Sequence, residues 1–393
     1  MKTFKIITTA ALLCVAFASC KKNDVVPAKI ESTAQQKNND LSSLPVFQRF
    51  IWSNGSPGNL YISGDTLSMA DEYESYIVNK QTGALIKMYR STGHDVGTFT
   101  GWGSFVSGKF YLIKYVKRRD NNGNWITLYC YPERADFDYG PAYYPLDFPP
   151  HGAGITRYVA IQKLDAQKKF IWAKLNGAYQ INENMNASVD VDGAGNIYTC
   201  GTGPGASLEM PSTSSLGIIQ KADGNGKLIW QTRLTEQFPS GIIVDHAGNS
   251  YFIADNKIIK MDTNGKLVAK KSLPTRPNTN SISIQGINID KKDNLYITGR
   301  YRYTFPNGTS TWHSFIQKTD VNGNPGWYVN SSSAQTEKSD INKFFISCMT
   351  VDDNGDIYAA CNSSGTVNIA PGNKIATDQW GSSYIIKLSQ PGY

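Results

Sequence analysis

"GIIVDHAGNSYFIADNKIIKMDTNGKLVAKK", Gly241 to Lys271, reads as two β-hairpins with almost nothing between them. Its apolar runs are short and rich in β-branched residues. The turn centres "DHAGN" and "DTNG" part them, and supply Gly and Asn where a tight hairpin needs positive φ. Helical periodicity is absent, so the stretch predicts four antiparallel strands.

The first half of this unit recurs along the chain. "VDGAGNIYTCG" (Val191 to Gly201), "IDKKDNLYITG" (Ile289 to Gly299) and "VDDNGDIYAAC" (Val351 to Cys361) repeat its β-branched residue, Asp, turn and Tyr. "WSNGSPGNLYISG" (Trp52 to Gly64) reads as a looser copy and "SFVSGKFYLIK" (Ser104 to Lys114) as a degenerate one. Tyr61, Tyr111, Tyr198, Tyr251, Tyr296 and Tyr358 then mark six repeats with a spacing of about 50 residues. The second half recurs as a β-rich run, Lys and a turn centre, as in "GIIQKADGNGKLIW" (Gly217) and "SFIQKTDVNGNPGW" (Ser314). Six repeats of four strands predict an all-β chain, a six-bladed β-propeller of four-stranded antiparallel blades. A single blade cannot cover its own faces. Neighbouring blades cover each other, and closing the ring removes the exposed ends. The last repeat stops at "YIIKLSQPGY", one strand short, so a segment between about Val25 and Phe47 is expected to complete it.

The pattern V-D-x-x-G-N-x-Y followed by K-x-D-x-N-G-x-x-x-W resembles secreted β-propeller repeats of the SBBP and NHL type. The resemblance runs from about Phe47 to the end. It implies the fold and is nearly silent on function.

The acidic turn at Asp352, Asp353 and Asp356 raises the question of calcium. An EF-hand-type loop needs Gly at its sixth place and a bidentate acid at its twelfth. Counted from Asp352, those places hold Ile357 and Ser363. The equivalent turns "GAGN" and "HAGN" lose the acids. The Asp residues are therefore read as turn caps, and neither a metal nor a cofactor is expected.

At the N-terminus, Lys2 and Lys5 precede the apolar run "IITTAALLCVAFA", which is short for a transmembrane helix and suits a secretory signal. "FASC" looks like the lipobox of bacterial lipoproteins, with Cys20 lipidated, and the "SCKKND" form resembles lipoproteins of the Bacteroidetes group. The expected organisation is a signal at 1–19, a polar tether at 20–45 and the propeller at 46–393, with an insertion at about 117–157. The resemblance implies anchoring to the bacterial cell envelope, at the outer membrane. The net charge of +7 is modest for 393 residues and its lysines are scattered, which argues against a nucleic-acid partner.

Labelling strands a to d from the axis outward, the a–b and c–d turns are short and stereotyped. The length variation sits in the b–c and d–a connections, which open on one face of a propeller. Variable loops on a rigid scaffold are where binding usually resides. Asp136, Tyr139, Tyr143, Tyr144 and His151 in the insertion are the candidate ligand-binding residues, together with Arg300, Tyr303 and Trp312. They are expected at or near the central mouth. Rings beside charged groups suit sugar or peptide recognition. His94, His151 and His313 could reach the same face, but no ligand spacing such as H-x-H links them, and no G-x-S-x-G elbow, P-loop or dinucleotide motif is present. Two classes stay open: a binding or interaction module for a glycan or protein, and a propeller enzyme such as a polysaccharide lyase or glycoside hydrolase. The missing catalytic cluster favours the first. Finally, a two-residue turn at Asn354 and Gly355 would set Cys348 opposite Cys361 and allow a disulfide, whereas a longer turn would set Cys348 opposite Ala360.

Overall fold

The computed structural model describes residues 48–51, 59–70, 74–90, 105–106, 109–110, 116–131, 135–136, 145–146, 157–179, 188–203, 216–236, 239–273, 279–306, 308–330, 332–333, 344–363, 366–370, 373–376 and 382–390. Among them there is no helix, and six four-stranded antiparallel sheets form the blades of a β-propeller. Blade 1 is Asn59–Ser63, Thr66–Ala70, Glu74–Asn79 and Leu85–Arg90. Blade 2 is Val116–Arg119, Trp125–Tyr131, Arg157–Leu164 and Phe170–Tyr179. Blade 3 is Ser188–Val191, Ile197–Gly203, Leu216–Ala222 and Leu228–Arg233. Blade 4 is Ser240–Val244, Ser250–Ala254, Lys257–Met261 and Leu267–Ser272. Blade 5 is Thr279–Ile289, Leu295–Thr304, Ser310–Thr319 and Pro325–Asn330. Blade 6 takes Phe344–Val351, Ile357–Ser363 and Ser382–Leu388, and its outer strand is Gln48–Ile51.

That outer strand closes the ring. Gln48 pairs with Ile386 and Ile51 with Ser383. The closing strand thus lies just beyond the expected window of Val25 to Phe47. Two further ties join blades 1 and 6: Lys80 Nζ lies 3.3 Å from Asp352, and Lys387 Nζ donates to Gln81 at 2.7 Å.

Blades 1 and 2 differ from the sequence reading. Strand a of blade 1 is Asn59–Ser63 itself, turning at Gly64 and Asp65 into strand b. Tyr61 therefore sits on an inner strand and is not equivalent to the later marker tyrosines. In blade 2 the hairpin is Val116–Arg119 with Trp125–Tyr131, turning through Asp120–Asn124. "SFVSGKFYLIK" contributes only a two-residue ribbon, Phe105–Val106 with Lys109–Phe110. The sequence predicts a hairpin around Asn122 and Gly123 but places it in the insertion, because Ile126 stands where blades 3 to 6 carry Tyr. The b–c connection of blade 2 accordingly spans 132–156, and within it Ala135–Asp136 pairs with Pro145–Leu146.

The core lies between blades, as the stacking of half-covered sheets demands. Ile126, Val159 and Ile161 of blade 2 meet Val189, Ile197 and Ile218 of blade 3. Leu67, Met69 and Val78 of blade 1 meet Tyr358, Ala360 and Ile385 of blade 6. Tyr198, Tyr251, Tyr296 and Tyr358 are fully buried. Each faces the recurring lysine of its own blade across strands b and c: Tyr198 with Lys221, Tyr251 with Lys260, Tyr296 with Lys318, Tyr358 with Lys387. The ammonium groups lie 4.9 to 5.6 Å from the ring centres, within cation–π range. The two sequence markers are thus one cross-strand unit.

The turn Asp carboxylates cap the backbone of their own turns. Asp352 Oδ1 accepts the Asn354 and Asp356 amides at 2.9 and 3.0 Å, while Oδ2 lies 3.4 Å from the Tyr358 hydroxyl. Asp245 accepts the Asn249 amide and side chain and the Tyr251 hydroxyl, each within 2.9 Å. Asp192 and Asp290 repeat the arrangement. The same turn sets Val351 opposite Ile357 and Cys348 opposite Ala360, with a bulge before Ile346 pairs with Cys361. The turn is wider than the two-residue form, so the cross-strand disulfide is not formed and both cysteines are free thiols.

Candidate ligand-binding face

The a–b and c–d turns define one end of each blade, the turn face. The b–c and d–a connections define the other, the loop face. Blade 5 extends furthest toward the loop face among the described hairpins. Its strands Leu295–Thr304 and Ser310–Thr319 have ten residues each, against five in Ser250–Ala254 and Lys257–Met261 of blade 4. At about 3.3 Å per residue, five more residues carry the hairpin roughly 16 Å further. β-Branched and aromatic residues suit this half-exposed ribbon.

Alternation gives the extension two different sides. Arg300, Arg302 and Trp312 share one, with Arg302 directly opposite Trp312 and Arg300 opposite Ser314. The Arg300 guanidinium carbon lies 4.7 Å from the centre of the Trp312 ring, a cation–π stack. Arg302 is exposed and its Nε donates to Ser310 Oγ at 2.7 Å. Ser281 and Ser283 of strand a face Arg302 and Arg300. The result is a strip of two guanidinium groups, an indole and hydroxyls.

Tyr303 falls on the other side, with Tyr301 and His313. Tyr301 joins the apolar cluster shared with blade 4. His313 is buried, stacked on Tyr301 at 5.3 Å and edge-on to Tyr303 at 5.9 Å. The structure thus brings Arg300 and Trp312 together and separates Tyr303 from them. All three belong to strands b and c, and so stand out from the inner strand that lines the axis. Asp136 lies in the short ribbon of the blade 2 connection, while Tyr139, Tyr143, Tyr144, His151 and His94 fall outside the described residues. His246 sits on the turn face, as its place in an a–b turn required, with Nδ1 2.7 Å from Asp293 of the next blade.

A second polar feature links the inner strands. Arg118 Nε donates to Asp190 Oδ1 at 3.1 Å, and Asp190 Oδ2 accepts the Val244 amide at 2.9 Å. Strands a of blades 2, 3 and 4 are tied through one carboxylate. Burial pushes the Asp190 carboxyl above its ordinary value, and Arg118 only partly offsets this. Arg118, Asp190 and Asn288 each stand two residues before a turn Asp. Asn288 makes the equivalent tie to the Met349 carbonyl at 2.9 Å. That offset was visible in the sequence, though the residue types vary too much to read as a motif. Among the described residues no group of His, Cys, Asp and Glu could hold a metal ion.

No family model matches the chain, and no curated protein matches it. Among solved structures it is similar to a luciferin-regenerating enzyme, at 11% identity over 88% of this chain and 96% of that one, with a TM-score of 0.44. It is similar to a member of the DUF4221 family from Bacteroides vulgatus, at 9% identity over 87% and 96%, with a TM-score of 0.44. It is also similar to the Pan2 WD40 domain of Neurospora crassa, at 9% identity over 86% and 90%, with a TM-score of 0.41. At this level of similarity none of the three bears on ligand or activity.

Proposed function

We propose that this chain is a lipid-anchored propeller of the bacterial cell envelope, held by Cys20, whose loop face binds a ligand. The observation that carries the reading is the strip on the blade 5 extension, where Arg300 stacks on Trp312 beside Arg302. An indole gives a flat apolar platform and guanidinium groups recognise carboxylate or sulfate in a planar, bidentate way. The ligand class this favours is an acidic carbohydrate, with an acidic protein segment as the second candidate. Asp136, Tyr139, Tyr143, Tyr144 and His151 of the blade 2 connection are proposed to add contacts on the same face.

Calorimetric titration with uronate-bearing oligosaccharides, run beside an activity screen on the same polymers, tests this. Trp312→Ala and Arg300→Ala should each weaken binding about tenfold or more, the loss of ~1.4 kcal/mol or above. Arg300→Lys should also lose most of the affinity, because Lys keeps the charge without the planar stack. Turnover in the activity screen would favour a lyase or hydrolase instead. Binding that ignores both substitutions would place the site elsewhere.

A further inference from the structure

The large hydrophobic side chains exposed among the described residues all fall at one place in the repeat. They are Leu85, Ile86, Ile171, Leu228, Ile229, Leu267 and Val268, each between 43 and 56% exposed. Every one is in the first two residues of strand d, directly after a c–d turn, in blades 1 to 4. They therefore form an apolar rim at the turn-face end of the propeller. Pro325 and Gly326 interrupt it in blade 5. Large apolar side chains left exposed at the same repeat position in four blades make this end of the propeller a candidate interaction surface.

Exposed lysines accompany the rim: Lys168 and Lys169 before Ile171, Lys227 before Leu228, Lys266 before Leu267. Strand d is also a sheet edge, and lysines on an edge oppose pairing with another strand. A second copy of the chain docked edge to edge therefore suits this rim poorly. An anionic lipid surface suits it well. Its headgroups attract lysines and its acyl boundary takes short apolar side chains.

The path of the chain points the same way. Leu388 pairs with Ile357 beside the Asp352 turn, so the Ile386 end of that strand lies toward the turn face. Gln48 pairs with Ile386 and Ile51 with Ser383. The polypeptide therefore enters blade 6 from the turn-face side.

We infer that the apolar rim and its lysines dock on an anionic membrane surface, turn face inward, so that the blade 5 extension points away from the bilayer. The choice of lipid as occupant rests on the anchor at Cys20 proposed above. The test uses lipidated full-length protein in vesicles of phosphatidylethanolamine and phosphatidylglycerol with brominated acyl chains. An environment-sensitive fluorophore is placed through Ile229→Cys on the rim or Thr309→Cys at the tip of the blade 5 extension. Quenching should be several-fold stronger at position 229. Adding Leu228→Ser, Leu267→Ser and Val268→Ser should erase the difference while leaving the thermal transition in place. Equal quenching at the two positions would overturn the docking. The anchor is read separately, by whether Cys20→Ala releases the protein into the soluble fraction. Retention of Cys20→Ala with the membranes would overturn the anchor, and the quenching ratio would still decide the rim.

Discussion

The Tyr198 hydroxyl lies 3.1 Å from the Gly248 carbonyl, which joins strand b of blade 3 to the a–b turn of blade 4. The same hydroxyl lies 3.1 Å from Asp192 Oδ2, so its one hydrogen has two acceptors. The ring is held independently, edge-on to Trp230 at 6.1 Å and under Lys221. Tyr198→Phe should therefore cost only about 1 kcal/mol, one hydrogen bond's net worth. Tyr198→Ala should cost about 3–5 kcal/mol by opening a cavity between blades. Urea midpoints would check both. Equal losses would mean that the hydroxyl, and not the ring, carries the contact.

Gly265 and Gly64 separate two demands on a turn glycine. Both have positive φ, +78° and +57°. A Cβ at Gly64 would meet nothing within 4 Å, whereas one at Gly265 would lie 2.7 Å from Trp230 Cε3 of the preceding blade. Gly64→Ala should cost only the left-handed backbone penalty, about 1–2 kcal/mol. Gly265→Ala should cost a further ~1–3 kcal/mol from overpacking. Combining Gly265→Ala with Trp230→Ala should recover part of that excess in thermal melts. No coupling in the double mutant would show that the backbone alone sets the requirement.

Ring closure depends on the four residues Gln48 to Ile51. Removing the chain up to Phe47 should leave the unfolding transition nearly unchanged. Removing it through Ile51 bares strand c of blade 6, and should lower stability by on the order of 2–4 kcal/mol at ~1 kcal/mol per ladder hydrogen bond. Hydrogen exchange should then rise first in Ser382–Leu388, which loses its outer partner. Matching stability of the two truncations would show that Lys80–Asp352 and the blade 1 and 6 core suffice to hold the ring.

The fold was legible because each turn must solve the same problem. An Asp that caps two amides, an Asn or Gly in the turn and a β-branched flank leave a signature along most of the repeats, and Gly241 to Lys271 shows it undiluted. Blade 2 misled because its signature lacks one member. With Ile126 in the place of Tyr, Asp120 accepts Lys163 at 3.2 Å as well as Asn124, and the hairpin at Asn122 and Gly123 reads as part of the insertion. The loop-face site was legible only as residue types. Arg300 and Trp312 meet across a register, while Tyr303 turns away by one position of the same register. A one-residue difference reverses a side chain's face, and composition cannot resolve it. The apolar rim was hidden for a related reason: Leu228 and Ile229 look like core until the outermost strand is known to have no neighbour.

Asp120 should also govern the acid limb of stability. Burial alone would raise its carboxyl, but hydrogen bonds from Asn124 and the contact with Lys163 outweigh this and hold it below the ordinary value. Asp320 is lowered in the same way through Asn324 and Asn322, and Glu236 through Lys270 and Thr235. A depressed carboxyl contributes stability that is fully present above its unfolded value, near 3.9 for Asp, and lost as pH falls through the folded one. Asp190 has the opposite sign, since burial raises it, and its contribution is lost as pH rises. The lowered groups outnumber it among the described residues, so urea midpoints should fall steeply below about pH 4. Asp120→Asn cannot gain from ionisation, and should lower stability at neutral pH by about 1–2 kcal/mol while narrowing its gap to the wild type in acid. A gap that stays constant from neutral pH into the acid limb would mean that Asp120 acts through shape alone, with no contribution from its charge.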